Sequence, residues 1–281
     1  ELFSWRDIHS WEDAKDWAKA IFSQKKKKTT VFWSLGHFLN HLKFAKNPLE
    51  TRILFLFEPP VVEKAGYQLD VMAKFDRIAT WDDDLVDNVR FFKFHYPSLR
   101  PRIAQIVPFQ EKKFCTLFST YWKSKHPKEL YSKRDEMVQF FEHLPQEFDF
   151  YGKFWEKKGY KNWKGWVDDK INTLKNYRFN ICYENMQQVK GYVTEKIFDS
   201  FAAGVVPVYW GASNITDYVP ADCFIDRRTF ASNEELYAHL KSITEEEYNH
   251  YLERAAAYLQ SPQAQLFSPD HFVDCFTRIC L

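Results

Sequence analysis

Phe179-Asn180-Ile181-Cys182-Tyr183 runs directly into Glu184-Asn185, a polar link leads to Gly191-Tyr192-Val193-Thr194-Glu195-Lys196, and Ala203-Gly204 then precedes Val205-Val206-Pro207-Val208-Tyr209. The two apolar runs are rich in aromatic and β-branched residues and too short for helices, so they read as buried strands. The segment between them, from about 194 to 203, reads as a helix that Gly204 closes at C′, where a left-handed backbone favours glycine. A strand, a helix and a second strand in succession build a parallel α/β sheet.

The same alternation extends outward. Downstream, Ser232 with Glu235 and Thr244 with Glu247 have the spacing of capping boxes, and Ser268-Pro269 opens a last helix with Phe272, Cys275, Phe276 and Ile279 inward. Upstream, residues 148–151 and 115–120 read as strands. Between them Ser132 begins a helix with Met137, Phe140, Phe141 and Leu144 at i, i+3, i+4 and i+7. Nearer the N-terminus, residues 30–33, 52–57, 77–80 and 103–107 are short strand candidates. Ser10 caps a first helix with Trp11, Ala14, Trp17 or Ala18, and Ile21 on one face, which runs into the lysines at 25–28. Two successive α/β units predict two sheets facing a cleft. The expected division is residues 1–120, residues 121–262, and a C-terminal helix at 263–281 that packs back on the first domain.

Composition narrows the function. With 281 residues, 45% hydrophobic, and 39 Lys+Arg against 38 Asp+Glu, the chain has the core of a globular protein and no charge excess for nucleic acid. Its longest charge-free apolar stretch, residues 201–212, falls short of the roughly 20 residues that span a bilayer. Ten Trp, fifteen Tyr and 27 Phe are an unusual aromatic load. Most of the Phe read as core, while Trp and Tyr beside polar motifs suit sugar-binding faces. Five cysteines without a Cys-x-x-Cys pair suggest neither zinc nor a disulfide framework, and point to a reducing compartment. No signal peptide or anchor is visible, so the expected location is cytoplasmic; a membrane-peripheral or Golgi-lumenal site stays open if an anchor precedes this sequence.

In open parallel sheets ligands bind beyond the carboxyl ends of the strands, so polar residues there are the candidates. Glu58 follows Ile53-Leu54-Phe55-Leu56-Phe57 and precedes Pro59-Pro60; partly desolvated, it would have a raised pKa and serve as a general base. Glu184 and Asn185 follow a second strand. Thr194-Glu195-Lys196 opens a helix, where free N–H groups favour an anion; a lysine in that first turn opposes the dipole unless a bound phosphate explains it. Arg134, at another helix start, could grip phosphate, pair with Asp135 or face solvent. Asp82-Asp83-Asp84 could chelate a cation, although a solvated turn or cap suits its loop better. The paired His37 and His41 lack a third ligand. Dinucleotide, P-loop, serine-hydrolase and zinc-protease signatures are absent.

The blocks 179–185, 191–197 and 203–211 closely resemble the α-1,3/4-fucosyltransferases of glycosyltransferase family 10. So do Leu54-Phe55-Leu56-Phe57-Glu58-Pro59-Pro60, Tyr131-Ser132-Lys133-Arg134, Asp149-Phe150-Tyr151-Gly152-Lys153 and Pro220-Ala221-Asp222-Cys223-Phe224-Ile225-Asp226. The likeness covers roughly residues 50–245. It implies the GT-B type of fold, with two Rossmann-like domains facing a cleft, and metal-independent, inverting transfer of L-fucose from GDP-fucose. It implies Glu58 as base and Arg134 and Lys196 on the diphosphate. Glu195 is implied for donor hydroxyls, with Thr194, Tyr192, Asn185 and Glu184 in the same pocket.

The resemblance further implies an N-terminal domain that selects the acceptor, an N-acetyllactosamine-like oligosaccharide fucosylated in α-1,3 linkage on GlcNAc or Glc, as in Lewis-type glycans. C-terminal heptads of bacterial relatives and the anchor of animal relatives are not seen in this sequence. Two alternatives remain: a GT-B transferase using another nucleotide sugar, and a non-catalytic glycan-binding protein on the same scaffold.

Overall fold

The computed structural model describes residues 28–33 and 50–281. The helix expected after Ser10, the lysines at 25–27 and the His37/His41 pair lie outside the described residues. Contacts divide the chain into two compact units, one containing the described residues up to His95 together with Pro269–Leu281, the other Tyr96–Ser268.

In the first unit four strands, β1 (Lys28–Trp33), β2 (Glu50–Leu56), β3 (Arg77–Thr80) and β4 (Phe91–Lys93), form a parallel sheet in that order. Successive side chains of a strand face opposite ways. Leu54 and Leu56 of β2 therefore pack with Ile78 against Val71 and Met72 of the short helix α1 (Leu69–Met72). On the other face Phe55 and Trp33 stack on Phe276 of the C-terminal helix, at ring separations of 5.4 Å each. That helix, Pro269–Cys280, buries Phe272, Cys275, Phe276 and Ile279 as its apolar spacing requires, and the Ile279 carbonyl accepts a hydrogen bond from Arg77.

The second unit holds β5 (Lys113–Phe118), β6 (Phe148–Tyr151), β7 (Tyr177–Tyr183), β8 (Val206–Trp210) and β9 (Ile225–Asp226), all parallel, in the order β6-β5-β7-β8-β9. The order reverses between β5 and β7, which opens a crevice at their carboxyl ends. Helix α2 (Tyr131–Phe141) covers one face with Met137, Val138 and Phe141, joined by Leu236 and Leu240 of α5 (Asn233–Ser242). The other face is closed by α4 (Glu195–Ala202) through Ile197, Phe198 and Phe201, backed by α6 (Glu245–Leu259). A short helix, α3 (Lys170–Leu174), precedes β7, another, α7 (Pro262–Gln265), follows α6, and Pro269–Cys280 is α8.

Several expectations need correction. Residues 103–107 form no strand: prolines at 101 and 108 bracket the segment, and the Ile103 N–H instead bonds the Ala202 carbonyl. A strand of only three residues, β4, took its place in the pairing and was missed because it is too short to show a period. The boundary falls after His95, not at 120, because β5 is flanked by β6 and β7 and so belongs to the second sheet. The last piece begins at Pro269 rather than 263, since Ala264 and Phe267 are buried with α4 and α6. Helix α2 starts one residue early, with Ser132 inside its first turn and bonded to Glu129. Thr244 and Glu247 form a complete capping box, whereas Glu235 turns to the Ala231 N–H instead of completing the one at Ser232.

Gly152, just after β6, has φ +140°, and a Cβ there would lie 2.0 Å from the Ser119 carbonyl oxygen at the end of β5. Its lack of a side chain lets the two strand exits close on each other. Gly152→Ala should therefore lose about 2–4 kcal/mol of stability; a urea midpoint equal to that of the parent would contradict this account.

Candidate active site

The carboxyl end of β7 carries two consecutive residues that each hold a cation. Glu184 is fully buried, and its carboxylate accepts the Thr194 N–H at 2.9 Å and the Thr194 hydroxyl at 2.8 Å. The same carboxylate pairs with the Lys196 ammonium at 3.1 Å. Asn185, next in line, accepts from the Arg134 guanidinium at 3.0 Å through its side-chain oxygen. Arg134 also donates to the Tyr183 carbonyl at 2.6 Å and the Ser119 hydroxyl at 3.2 Å. One guanidinium thus bridges the ends of β5 and β7 across the crevice.

Arg134 neither pairs with Asp135 nor faces solvent, since it is buried and Asp135 instead meets Lys158 and Tyr160. Burial lowers its pKa, a shift that the nearby Tyr131 hydroxyl and Glu184 oppose; a guanidinium remains charged regardless.

Helix α4 begins at this cluster. Lys196 sits in the first turn, against the dipole, and is held there by Glu184, by Glu195 at 3.4 Å and by the Thr194 hydroxyl at 3.0 Å. Burial disfavours its ammonium, yet Glu184 and Glu195 together raise its pKa above the ordinary lysine value. Glu195 itself is half-exposed, at 44%. Burial works against its ionisation, but Lys196, Lys170 and its own N–H at the helix start pull its carboxyl down to about 2. Tyr192 is buried, with its carbonyl accepting from Tyr209 and its ring edge-on to Tyr96. Seven of the predicted residues, Arg134, Glu184, Asn185, Tyr192, Thr194, Glu195 and Lys196, therefore belong to one unit; Glu184, Thr194, Glu195 and Lys196 form one hydrogen-bonded cluster, and Arg134 with Asn185 forms a second beside it.

Glu58 lies in the first unit, after β2. It is exposed, so the expected desolvation does not occur. Its carbonyl accepts a hydrogen bond from the Tyr67 hydroxyl at 3.0 Å, a phenol whose pKa is raised by burial and by the charges of Asp82, Glu63 and Glu58. The acidic run is a turn: the Asp84 N–H bonds Asp82, and Asp83 is committed to Lys93 at 2.6 Å.

Two contributors escaped the sequence reading. Ser119 anchors Arg134, and a small cavity of about 160 Å³ opens beside it at the ends of β5 and β6, lined by Phe118, Tyr151, Gly152 and Trp166. The glycine after β6 was the one available signal.

Two outcomes follow from this electrostatics. Lys196→Met leaves a buried carboxylate without its counter-charge and should cost about 3–5 kcal/mol, read by urea unfolding. Because the Glu195 pKa is depressed by folding, its contribution is complete above about 4.5, the ordinary glutamate value, and disappears as pH falls toward about 2. Glu195→Gln should accordingly lower stability by a constant amount between pH 6 and 8 and flatten the profile in that acid window, where parent and variant converge.

Comparison with known proteins adds the family. Residues 108–280 match Glycosyltransferase family 10 (fucosyltransferase) C-term. An Arabidopsis thaliana alpha-(1,4)-fucosyltransferase is 41% identical over 78 residues, 28% of this chain and 19% of the relative. The 4-galactosyl-N-acetylglucosaminide 3-alpha-L-fucosyltransferase 9 of Mus musculus is 32% identical over 143 residues, 49% of this chain and 34% of the relative. The chain thus spans about a third or less of the length of these relatives. The crystal structure of an alpha1,3-fucosyltransferase with GDP-fucose shares the fold, with a TM-score of 0.52 at 20% identity over 83% of this chain and 76% of the other. The family match covers more than half of the sequence and includes Arg134, Glu184 and Lys196, and the chain belongs to glycosyltransferase family 10, the family of fucosyltransferases.

Proposed function

We propose that this chain transfers L-fucose from GDP-β-L-fucose, with inversion, to a GlcNAc or Glc hydroxyl of an N-acetyllactosamine-like glycan, in α-1,3 linkage. One observation carries the donor reading: two cations are held in place at the crevice between β5 and β7, the buried Arg134 by Ser119, Tyr183 and Asn185, and the largely buried Lys196 by Glu184. Two preorganised cations at one crevice suit a diphosphate, and Glu195 is exposed enough to meet hydroxyls of the donor. The cavity lined by Phe118, Tyr151 and Trp166 offers aromatic walls for the base.

In the proposed reaction the acceptor oxygen bonds to C1 of fucose as its proton passes to the Glu58 carboxylate. The bond from C1 to the GDP oxygen breaks, and the leaving diphosphate takes the electron pair. Arg134 and Lys196 stabilise the charge that grows there, a fixed electrostatic contribution requiring no metal. The five cysteines are buried and take part in no disulfide, which supports a reducing compartment as the place of action.

The deciding assay is transfer to N-acetyllactosamine in EDTA from GDP-fucose, with UDP-galactose and GDP-mannose as control donors, read by mass. A gain of one fucose from GDP-fucose alone is expected, and a requirement for divalent metal would refute the charge argument. Glu58→Ala should abolish transfer while GDP still binds. Arg134→Ala should weaken GDP by about tenfold or more, the loss of a charge-assisted pair of bonds; calorimetry separates the two.

A further inference from the structure

We propose that a second, larger cavity in the 96–268 unit is a subsite for a neutral sugar of the glycan acceptor, an inference that rests on the transferase reading above. The cavity, about 650 Å³, lies at the carboxyl ends of β7, β8 and β9, between the starts of α2 and α5. That volume falls within the usual range for small-molecule sites. Nothing in the donor cluster uses it.

The lining selects the ligand class. Its cations are already engaged: Lys133 pairs with Glu136 at 2.8 Å, and Arg228 forks onto Asp226 at 2.7 Å. Arg227 donates to the Phe230 carbonyl at 2.7 Å and to Asn233 at 3.0 Å. With these charges internally balanced, and Glu234 at the same wall, an anion gains little here and a neutral ligand is favoured. Arg227 also lies over the Trp210 ring, 5.5 Å from its centre, and Tyr183 packs edge-to-face on it, so what remains on offer is the uncovered part of this half-buried indole beside the side-chain amides of Gln187 and Gln188. Neither amide takes part in a hydrogen bond among the described residues. The Tyr183 hydroxyl and the Arg227 Nε lie near one another in the wall without the alignment of a hydrogen bond. An aromatic surface with planar amides beside it matches the apolar C–H face and the hydroxyl edge of a pyranose.

Its position fits an acceptor rather than a separate ligand. Tyr183 lines the cavity while the next residue, Glu184, turns to α4, so the two sites occupy opposite sides of one strand end. Gly211 separates them; a Cβ there would lie 2.5 Å from the Glu184 side chain. The link from Asn185 to Gly191 is shared, with Gln188 tied to Gly211 by its N–H and to Lys128 by its carbonyl. A sugar held against Trp210 would therefore be a neighbour of the donor cluster.

The test uses the whole chain labelled with 5-fluorotryptophan, with the Trp210 resonance assigned from Trp210→Phe. It is titrated with N-acetyllactosamine, with the tetrasaccharide of two such units, with inorganic phosphate and with GDP. The Trp210 resonance should shift saturably with the tetrasaccharide and not with phosphate. The double variant Gln187→Ala/Gln188→Ala, at partly exposed positions, should weaken that binding by about tenfold and raise KM for the tetrasaccharide while kcat and GDP affinity stay at parental values. A Trp210 resonance unmoved by either saccharide at about 20 mM, beyond the millimolar range of weak sugar binding, or one that follows phosphate instead, overturns the proposal. If GDP fails to bind while Trp210 still responds to the glycan, the cavity stands as a sugar site and it is the donor reading that falls.

Discussion

A carboxylate with no exposure must find its charge partners and hydrogen bonds inside the protein, and Glu184 does so by gathering the start of α4 to the end of β7. The Thr194 N–H and hydroxyl, and through them Lys196, are fixed by this one side chain. Removing either member of a buried pair costs several kcal/mol, so the arrangement is rigid. It also resolves why a lysine can occupy the first turn of a helix: the unfavourable dipole is small beside two carboxylates within 3.4 Å. The cluster holds its cations in place before any ligand arrives, and preorganised charge of that kind suits the departing diphosphate of the proposed reaction.

The sheet beneath makes this possible. Parallel strands put their carboxyl ends on one edge, and the reversal between β5 and β7 leaves room there for Arg134 to cross from α2. Arg134 ties Ser119 to Tyr183 and so closes the floor of the crevice with backbone as well as side-chain contacts. Close approach recurs at two glycines. Gly152 lets the exit of β6 press on Ser119, and Gly211 lets the exit of β8 press on Glu184, where any larger residue would displace the Glu184 cluster. The aromatic load of the sequence is spent largely on packing, as in the Trp33–Phe55–Phe276 stack of the first unit, with Trp166 and Trp210 left at cavity walls.

Much of this was readable in the residues, for identifiable reasons. Strands β2, β5, β7 and β8 are dominated by apolar residues on both faces, as in strands buried on both sides. The helix from Thr194 ends at Gly204, with φ +64°, as the C′ reading requires. Failures came where the local signal is weak. A strand of three residues has no period, a proline-bracketed apolar segment imitates a strand, and a domain boundary depends on which sheet a strand joins. Glu58 was placed correctly at the end of β2, yet its exposure differs from expectation because burial is set by what covers a strand end.

The sequence by itself determined the alternation of strands and helices, the helix caps, and the residue types at the candidate site, because propensity, periodicity and turn chemistry act over a few neighbouring positions. Tertiary structure alone decided that Arg134 turns inward, that Glu184 is wholly buried, and that Ser119 and Gly152 belong to the same crevice. These are contacts between residues 10 to 50 or more positions apart in the chain. Which carboxylate faces which cation at such separations depends on strand order and register, and no local pattern encodes either.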